Sequence, residues 1–339
     1  MSGGLGAARD AIRARNSFLL TSHARPDGDS IGSQLAMAFA LDALGKQVRI
    51  VNADPPPSNF SEYPGIDRIQ VRPTVQIGNH LTGRGTSHGQ SSAFPSREDA
   101  LIVMECGDLK RPGVAGLDPY YTINIDHHIG NTGYGDVNWY DESAAACTEM
   151  VFTLIESLGV PISPEMAAHV YLGILTDTGS FHHGSMSART FEIARRCIEA
   201  GVDPAATAQR IFDSNSVGKL RLIGRILDGM QLEAGGRVAV LRLDQALLDA
   251  TGATMDDTEG LINMPLAAEE IQAVVMFKAE GGELRVSLRS KNGVDVRAVA
   301  VKHGGGGHKN ASGLTLKDTG ADADRALIAQ VVEAVQIAG

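Results

Sequence analysis

The chain has 339 residues, a length that suits two domains better than one hydrophobic core. Its apolar fraction of 43% is enough for packed interiors and argues against a globally disordered protein. The formal net charge of −10 argues against binding of long duplex nucleic acid, which needs many lysines and arginines to neutralise phosphates.

The three cysteines, Cys106, Cys147 and Cys197, lie far apart in the sequence and form no Cys-x-x-Cys pair. This pattern argues against a disulfide framework or a structural zinc site and fits a reducing cytoplasm. The N-terminus lacks the apolar core of a signal peptide, and no window approaches ~18 consecutive apolar residues. We therefore expect a cytoplasmic protein with no membrane span.

The first half of the sequence alternates short apolar runs with helical patterns. Strands are predicted at 17–22, 47–52, 100–105 and 121–125, and helices at 30–45, 141–158, 164–176 and 187–200. This alternation predicts an α/β domain over residues 1–200, with a parallel sheet and helices on both faces. Residues 79–99 are rich in Gly, Ser and His without periodicity, which predicts a flexible surface insertion.

The second half begins with two helical stretches and then changes to a strand-rich pattern. We predict a helical connector at 201–234, strands at 237–243, 271–279 and 283–290, and a C-terminal amphipathic helix at 321–337. Residues 235–339 are therefore expected to form a second, smaller α/β domain with a mixed sheet.

A histidine and two aspartates, His23, Asp27 and Asp29, directly follow the first predicted strand. The proline and glycine between them sharpen the turn, so that the three side chains can converge. Ligands of open parallel sheets bind beyond the carboxyl ends of the strands. A simpler alternative is that Asp29 or Ser30 caps the following helix, but this would not account for His23 and Asp27 together.

Further acidic and histidine side chains follow the other predicted strands. Glu105 ends the strand at 100–105, and Asp126, His127 and His128 follow the strand at 121–125. Asp177 stands where a helical pattern stops, and helix capping is the alternative for that residue. Five carboxylates and two or three imidazoles favour Mn²⁺, or else Mg²⁺ or Co²⁺, over a thiolate zinc site. A pair of such ions about 3.5–4 Å apart would promote hydrolysis of a phosphate ester.

These motifs, in this order, resemble those of the DHH phosphoesterase superfamily. The matching segments are His23-x3-Asp27-x-Asp29, Asp126-His127-His128 and Thr176-Asp177-Thr178-Gly179. The segment from His303 to Gly313, HGGGGHKNASG, resembles the signature loop of the DHH-associated C-terminal domain. The resemblance covers nearly the whole chain and is nearest to the NrnA-like type, which comprises nanoRNases and pAp phosphatases.

The resemblance implies two divalent metal ions and a division of roles among the side chains. Asp126 would orient a neighbouring imidazole, His128 would face the substrate phosphate, and Arg111 would hold a phosphate. The family usually has Asp where this chain has Glu105, which puts the bridging geometry in question and leaves Asp108 as a substitute. The implied metal ligands are His23 and Asp27 for one ion, Asp29 and His127 for the other, and Glu105 and Asp177 for both.

The four consecutive glycines near the C-terminus would expose backbone N–H groups to a nucleotide phosphate or ribose. By resemblance, Arg289 would contact a terminal phosphate. The implied substrate-binding residues are therefore Arg289, His303, Gly304, Gly305, Gly306, Gly307 and His308.

The function implied is hydrolysis of short oligoribonucleotides and dinucleotides such as pApA to mononucleotides, with removal of the 3′-phosphate of pAp as a second activity. Hydrolysis of c-di-AMP or another cyclic dinucleotide is the enzymatic alternative. The alternative of another class is an inactive nucleotide-binding protein, which only the unusual Glu105 favours. A homodimer is expected by analogy with the family alone.

Overall fold

The computed structural model describes residues 3–75, 100–182, 184–213, 215–258, 260–280, 283–316 and 320–338. The chain forms two compact units, Met1–Ser214 and Asn215–Gly339. The expected insertion at 79–99 lies outside the described residues. The segment 201–234, predicted as a connector, contributes one helix to each unit.

The first unit is built on a six-stranded sheet in which all neighbouring strands are parallel, in the order β3-β2-β1-β4-β5-β6. The predicted parallel sheet is thus confirmed. The strands are β1 (Ser17–Thr21), β2 (Gln47–Asn52), β3 (Ile69–Val71), β4 (Ala100–Met104), β5 (Tyr121–Asp126) and β6 (Val137–Tyr140). The α-helices are α1 (Leu5–Arg13), α2 (Gly28–Ala43), α3 (Cys147–Leu158), α4 (Pro164–Asp177), α5 (Ala188–Glu199) and α6 (Pro204–Phe212).

The two faces of this sheet are covered differently. Helices α1 to α5 pack with Phe18, Leu20 and Ile102 on one face, whereas the described residues packed on Leu19 and Leu101 of the opposite face come from loops. The expectation of helices on both faces therefore holds, among the described residues, for one face only. Right-handed crossovers explain the asymmetry, because the β4–β5 connection runs in the direction opposite to β1–β2 and so crosses the other face.

Helices α2 and α4 approach each other closely through glycines. A Cβ on Gly28 would lie 2.5 Å from Oγ1 of Thr176, and one on Gly173 would lie 2.5 Å from Oδ1 of Asp29. The beginning of α2 therefore lies beside the end of α4. This packing brings Asp29 of α2 next to Asp177, the last residue of α4.

The second unit contains a mixed sheet in the order β11-β12-β10-β9-β8-β7, as predicted, with only β8 and β9 parallel. Its strands are β7 (Gln231–Glu233), β8 (Val238–Leu243), β9 (Ala273–Glu280), β10 (Glu283–Ser290), β11 (Gly306–His308) and β12 (Ala311–Leu316). Its α-helices are α7 (Val217–Asp228), α8 (Gln245–Thr251), α9 (Val296–Lys302) and α10 (Ala321–Ala338). Helices α7 and α8 pack on one face, and α9 and α10 on the other.

Two expectations about compartment can be compared with the structure. Cys106, Cys147 and Cys197 are all buried free thiols. No helix in the described part of the chain is long and apolar enough to cross a membrane. The cytoplasmic location stays a prediction.

Candidate metal centre

The predicted site residues lie at the carboxyl end of the parallel sheet, where its strand order reverses. β1 and β4 are neighbours, yet the chain leaves β1 toward β2 and leaves β4 toward β5. The connections therefore diverge and open a crevice between these two strands, which is where ligands of such sheets bind. His23 follows β1, Glu105 follows β4, and His127 follows β5.

Three carboxylates surround one ring nitrogen of His127. Nε2 lies 3.1 Å from Oε1 of Glu105, 3.5 Å from Oδ2 of Asp177 and 3.9 Å from Oδ2 of Asp29. The other ring nitrogen, Nδ1, lies 3.1 Å from the carbonyl oxygen of Ala144 and can donate its proton there. That hydrogen bond leaves the lone pair of Nε2 directed at the carboxylates, which is the tautomer a metal ligand requires.

Asp29 is fixed by the beginning of a helix that is remote in sequence. Its Oδ2 accepts from the backbone N–H of Cys147 at 2.6 Å, and its Oδ1 accepts from that of Thr148 at 2.9 Å. Both N–H groups belong to the first turn of α3, where the helix dipole favours a negative charge. The idea that Asp29 caps its own helix is wrong, because Asp27 caps α2 by accepting from the N–H of Ser30.

Glu105 combines an unfavourable backbone conformation with a buried acidic side chain. Its backbone φ is +63°, a region that residues other than glycine rarely adopt. Its side chain is 2% exposed, and Oε1 has no hydrogen-bond partner among the described residues, although Nε2 of His127 is near. Burial, and then the negative charge of Asp29, raise the pKa of Glu105 well above its ordinary value. An unpartnered buried oxygen of this kind fits a cation ligand.

The pKa values of the groups around Glu105 also indicate that the site favours a cation. Burial lowers the pKa of His127, but the carboxylates of Glu105 and Asp29 outweigh burial and raise it to about 11. Burial and the charge of Asp29 raise the pKa of Asp177 to about 7. Without a cation, the cluster therefore retains protons at neutral pH. The oxygen-rich donor set with imidazole suits a divalent ion, and the residues present fit such a group.

The described residues form two overlapping groups with the spacing of metal ligands. One consists of Asp29, His127 and Asp177, and the other of Glu105, His127 and His128. Within the second group, Nδ1 of His128 lies 3.5 Å from Oε2 of Glu105 but only 2.9 Å from Oδ1 of Asp126.

His23 and Asp27 form a neighbouring pair outside those two groups, with 3.5 Å between Nε2 of the histidine and Oδ2 of the aspartate. The turn that carries them is held by the N–H of Arg25, which donates to Oδ2 of Asp54 at 2.8 Å. The carbonyl oxygen of Arg111 accepts from the N–H of Ala24 at 2.8 Å. The Arg111 guanidinium makes no ion pair with any described residue.

The sequence did not indicate Asn131, which contacts Asp126 directly. Its Nδ2 donates to Oδ2 of Asp126 at 2.6 Å, while Oδ1 of Asp126 accepts from His128. The only available signal was the pair Gly130 and Gly133, whose φ values of +90° and +64° mark a tight turn after the histidines.

The glycine loop of the second unit is more ordered than an open phosphate cradle. Gly306 and Gly307 lie in β11, which pairs antiparallel with β12, and a Cβ on Gly305 would clash with the carbonyl of Gly313. Nε2 of His303 lies 3.1 Å from Oε1 of Gln330 in α10, a partner that the sequence did not suggest. The side chain of His308 lies outside the described residues.

Three residues of this region remain open to a ligand. Arg289 in β10 is partly buried, with Nη1 donating to the carbonyl of Leu288 at 3.0 Å, and burial lowers its pKa. A Cβ on Gly304 or Gly306 would have no atom within 4 Å.

Comparisons with known proteins agree with both units. Residues 17–174 match the DHH family, N-terminal domain, and residues 235–336 match the DHHA1 domain. A bifunctional oligoribonuclease and PAP phosphatase NrnA from Thermus thermophilus is 34% identical over 318 residues, covering 94% of this chain and 88% of the relative. The chain belongs to the DHH family. The resemblance inferred from its motifs is confirmed, and it is a phosphoester hydrolase of the NrnA-like type.

Other relatives of this DHH protein support the assignment. The NrnA of Bacillus subtilis, also a bifunctional oligoribonuclease and PAP phosphatase, is 25% identical over 315 residues, which cover 90% of this chain and 91% of the relative. A crystal structure of an exopolyphosphatase-related protein from Bacteroides fragilis has a TM-score of 0.84 and 25% identity, covering 97% and 96% of the two chains. RecJ from Thermus thermophilus, in complex with Mn²⁺, shares the fold, with a TM-score of 0.53 and 13% identity over 98% of this chain and 55% of RecJ.

Proposed function

We propose that the chain is a two-metal phosphoesterase that hydrolyses short oligoribonucleotides and dinucleotides to mononucleotides and removes the 3′-phosphate of pAp. The names of the relatives that match almost the full chain, bifunctional oligoribonucleases and PAP phosphatases, support this substrate class. They do not favour a cyclic dinucleotide phosphodiesterase or an inactive binding protein. A homodimer and the exclusion of long duplexes stay predictions.

The observation that carries the proposal is the unpartnered Oε1 of Glu105, buried beside Nε2 of His127 in a cluster of carboxylates. A buried carboxylate oxygen that accepts no hydrogen bond is destabilising, and a bound cation would remove that cost.

The proposed ligands are those that the family motifs imply. His23 and Asp27 would hold one ion, and Asp29 and His127 the other. The bridging carboxylates would be Glu105 and Asp177. Mn²⁺ is the proposed ion, since a carboxylate-rich site with imidazole suits it and the RecJ that shares this fold was crystallised with Mn²⁺. Two such ions supply positive charge for the phosphoryl oxygens and lower the pKa of water at the site.

The remaining side chains would bind and orient the phosphate. Nδ1 of His128 donates to Asp126, so Nε2 is left to meet a phosphoryl or leaving oxygen. The Arg111 guanidinium would pair with a second phosphoryl oxygen. In the second unit, Arg289 and the exposed backbone at Gly304 and Gly306 would bind the nucleotide.

A substrate panel tests the proposal. Metal-stripped protein is supplied with Mn²⁺ and incubated separately with pApA, a five-nucleotide RNA, pAp, c-di-AMP and pyrophosphate. We expect turnover of the first three and little of the last two. Preferential turnover of c-di-AMP would favour the cyclic dinucleotide alternative, and turnover of none would leave only the binding-protein alternative.

The role of the glycine loop requires a separate test of affinity. Gly306→Val places a side chain where no atom lies within 4 Å, so the unit should remain folded while the loop is blocked. Gly224→Val is the matched control, because Gly224 is exposed on α7 and also has no atom within 4 Å. We expect weaker binding of pApA by the first variant only. Unchanged binding by Gly306→Val would remove the loop from the proposed substrate site.

A further inference from the structure

The loop after the two histidines contains an amide side chain that connects two buried groups. Nδ2 of Asn131 donates to Oδ2 of Asp126 at 2.6 Å and to Oδ1 of Asn124 at 2.8 Å. Its Oδ1 accepts from the N–H of Gly133 at 2.8 Å. Both the nitrogen and the oxygen of the Asn131 amide therefore have hydrogen-bond partners within the protein.

The orientation of this amide follows from its surroundings. One terminal atom of Asn124 lies 3.3 Å from the carbonyl oxygen of Val103 and 3.1 Å from that of Cys106. Carbonyl oxygens only accept, so this atom must be the nitrogen, and the other must be the oxygen. The atom of Asn131 that faces this oxygen must then be a nitrogen, and the same nitrogen meets the carboxylate of Asp126.

The two carboxylate oxygens of Asp126 therefore have different hydrogen-bond partners. Asp126 is fully buried, and Asn131 occupies its Oδ2. Its Oδ1 accepts from the backbone N–H of His128 at 3.3 Å and faces Nδ1 of the same residue at 2.9 Å. Because a carboxylate oxygen only accepts hydrogen bonds, Oδ1 of Asp126 in this position keeps the proton of the His128 ring on Nδ1.

This arrangement decides between two uses of His128. Its position near Glu105 and His127 would also allow Nδ1 to act as a metal ligand. A ring nitrogen that carries a proton cannot ligate, and Asp126 lies closer to Nδ1 than Glu105 does. Nε2 is then the ring nitrogen that remains free, on a side chain that is 30% exposed.

We propose that Asn131 is a positioning residue, which fixes Asp126 so that His128 keeps its proton on Nδ1 and presents Nε2 to the substrate. The substrate part rests on the function proposed above, whereas the tautomer does not. Loss of a partner that orients an active-site group typically costs about 10–100-fold in activity.

The test must separate this role from simple support of the loop. Asn131→Ala removes the donor to Asp126. Thr132→Val is the matched control, because Oγ1 of Thr132 donates to the carbonyl of Gly107 at 3.0 Å in the same loop but does not reach Asp126. The backbone N–H of Thr132, which also donates to Gly107, is kept in this control.

The first readout is the tautomer of His128, observed by ¹H–¹⁵N NMR in full-length protein with ¹⁵N-labelled histidine and Mg²⁺ as a diamagnetic ion. His128→Gln assigns the signals. We expect a single Nδ1–H form in the wild type and in Thr132→Val, and a mixture with the Nε2–H form in Asn131→Ala. The second readout is turnover of pAp, for which kcat should fall about 10–100-fold in Asn131→Ala with KM within about threefold.

Asn131→Ala with the wild-type tautomer would overturn the proposal, as would equal losses of kcat in Thr132→Val and Asn131→Ala. If the wild type does not hydrolyse pAp, the pAp phosphatase part of the proposed function fails, but the tautomer measurement still decides the role of Asn131. Asn131→Asp serves as a second variant, since it replaces the donating nitrogen by an oxygen and should disturb the tautomer at least as much as Asn131→Ala.

Discussion

Oε1 of Glu105 and Nε2 of His127 lie 3.1 Å apart without a hydrogen bond of acceptable geometry. Two adjacent ligands at about 2.1 Å from one octahedral ion would be about 3 Å apart. The separation therefore suits two atoms that share a cation.

The first prediction concerns this carboxylate. Glu105→Gln removes the charge at constant size, and we expect weaker Mn²⁺ binding and a loss of pAp turnover of at least about 100-fold, beyond what loss of an outer partner costs. Glu105→Asp is the informative companion, because Asp tolerates a positive φ better than Glu but reaches less far, so it should retain more activity. Calorimetry and phosphate release measure the two effects. Wild-type Mn²⁺ affinity in Glu105→Gln would contradict a ligand role.

The second prediction is that metal binding releases protons. The pKa of His127 is raised to about 11 and that of Asp177 to about 7, so at pH 7 the metal-free cluster holds protons that a divalent ion must displace. Titration of Mg²⁺ in buffers of different ionisation enthalpy should show release of about one proton or more per chain, and less release at pH 9. Binding without proton release at pH 7 would show that His127 is already neutral and the carboxylates already ionised, which would contradict the prediction.

The third prediction concerns the packing of α2 on α4. Gly173→Ala would direct a methyl group at Oδ1 of Asp29, and we expect a loss of at least about 2 kcal/mol in the free energy of unfolding. Gly6→Ala in the exposed part of α1 is the control and should be neutral or stabilising by up to about 1 kcal/mol. Fluorescence of Trp139, the single tryptophan, follows the unfolding of the first unit in urea. Equal stability of the two variants would contradict the close approach of the helices.

The fourth prediction is a pH dependence of stability. His169 is buried between the rings of Phe39 and Tyr63, with Nε2 donating to the carbonyl of Pro64, and burial lowers its pKa from 6.5 to about 4. Between pH 6.5 and 4 the unfolded chain takes up a proton that the folded chain does not, so the free energy of unfolding falls as the pH falls, by up to about 3 kcal/mol.

His169→Gln isolates this contribution, because a glutamine amide can donate to Pro64 but does not titrate. Urea unfolding of both proteins at pH 7 and pH 4.5 should show that the variant loses about 2 kcal/mol less than the wild type. A parallel decline in the two proteins would assign the acid sensitivity to other groups.

The sequence predicted those parts of the fold that depend on continuous burial. β1, β2, β4 and β5 are apolar runs because parallel strands are covered on both faces. The sequence did not reveal α1, in which only three side chains are buried, or the short half-exposed strand β6. The start of α3 was also misplaced, because the carboxylate that caps it belongs to Asp29, 118 residues earlier, and Ala146 offers no local signal.

The site was predictable to a similar degree. Residue types at strand ends pointed to the acidic and histidine side chains, because ligands of parallel sheets bind in the crevice beyond those ends. The positive φ of Glu105 and the amide chain from Asn124 through Asn131 to Asp126 depend on tertiary contacts and have no pattern in the sequence. The glycine loop gave no sign of pairing with β12, because glycines are equally compatible with an open turn.

The central claim is that the carboxylate and histidine cluster binds two ions to cleave phosphate esters. Its most direct test is release of inorganic phosphate from pAp as Mn²⁺ is titrated into metal-stripped wild-type protein, with His127→Ala in parallel. We predict no release without metal, release that saturates near two ions per chain in the wild type, and none above background in the variant. Release that persists in EDTA, or that survives His127→Ala, would contradict the account.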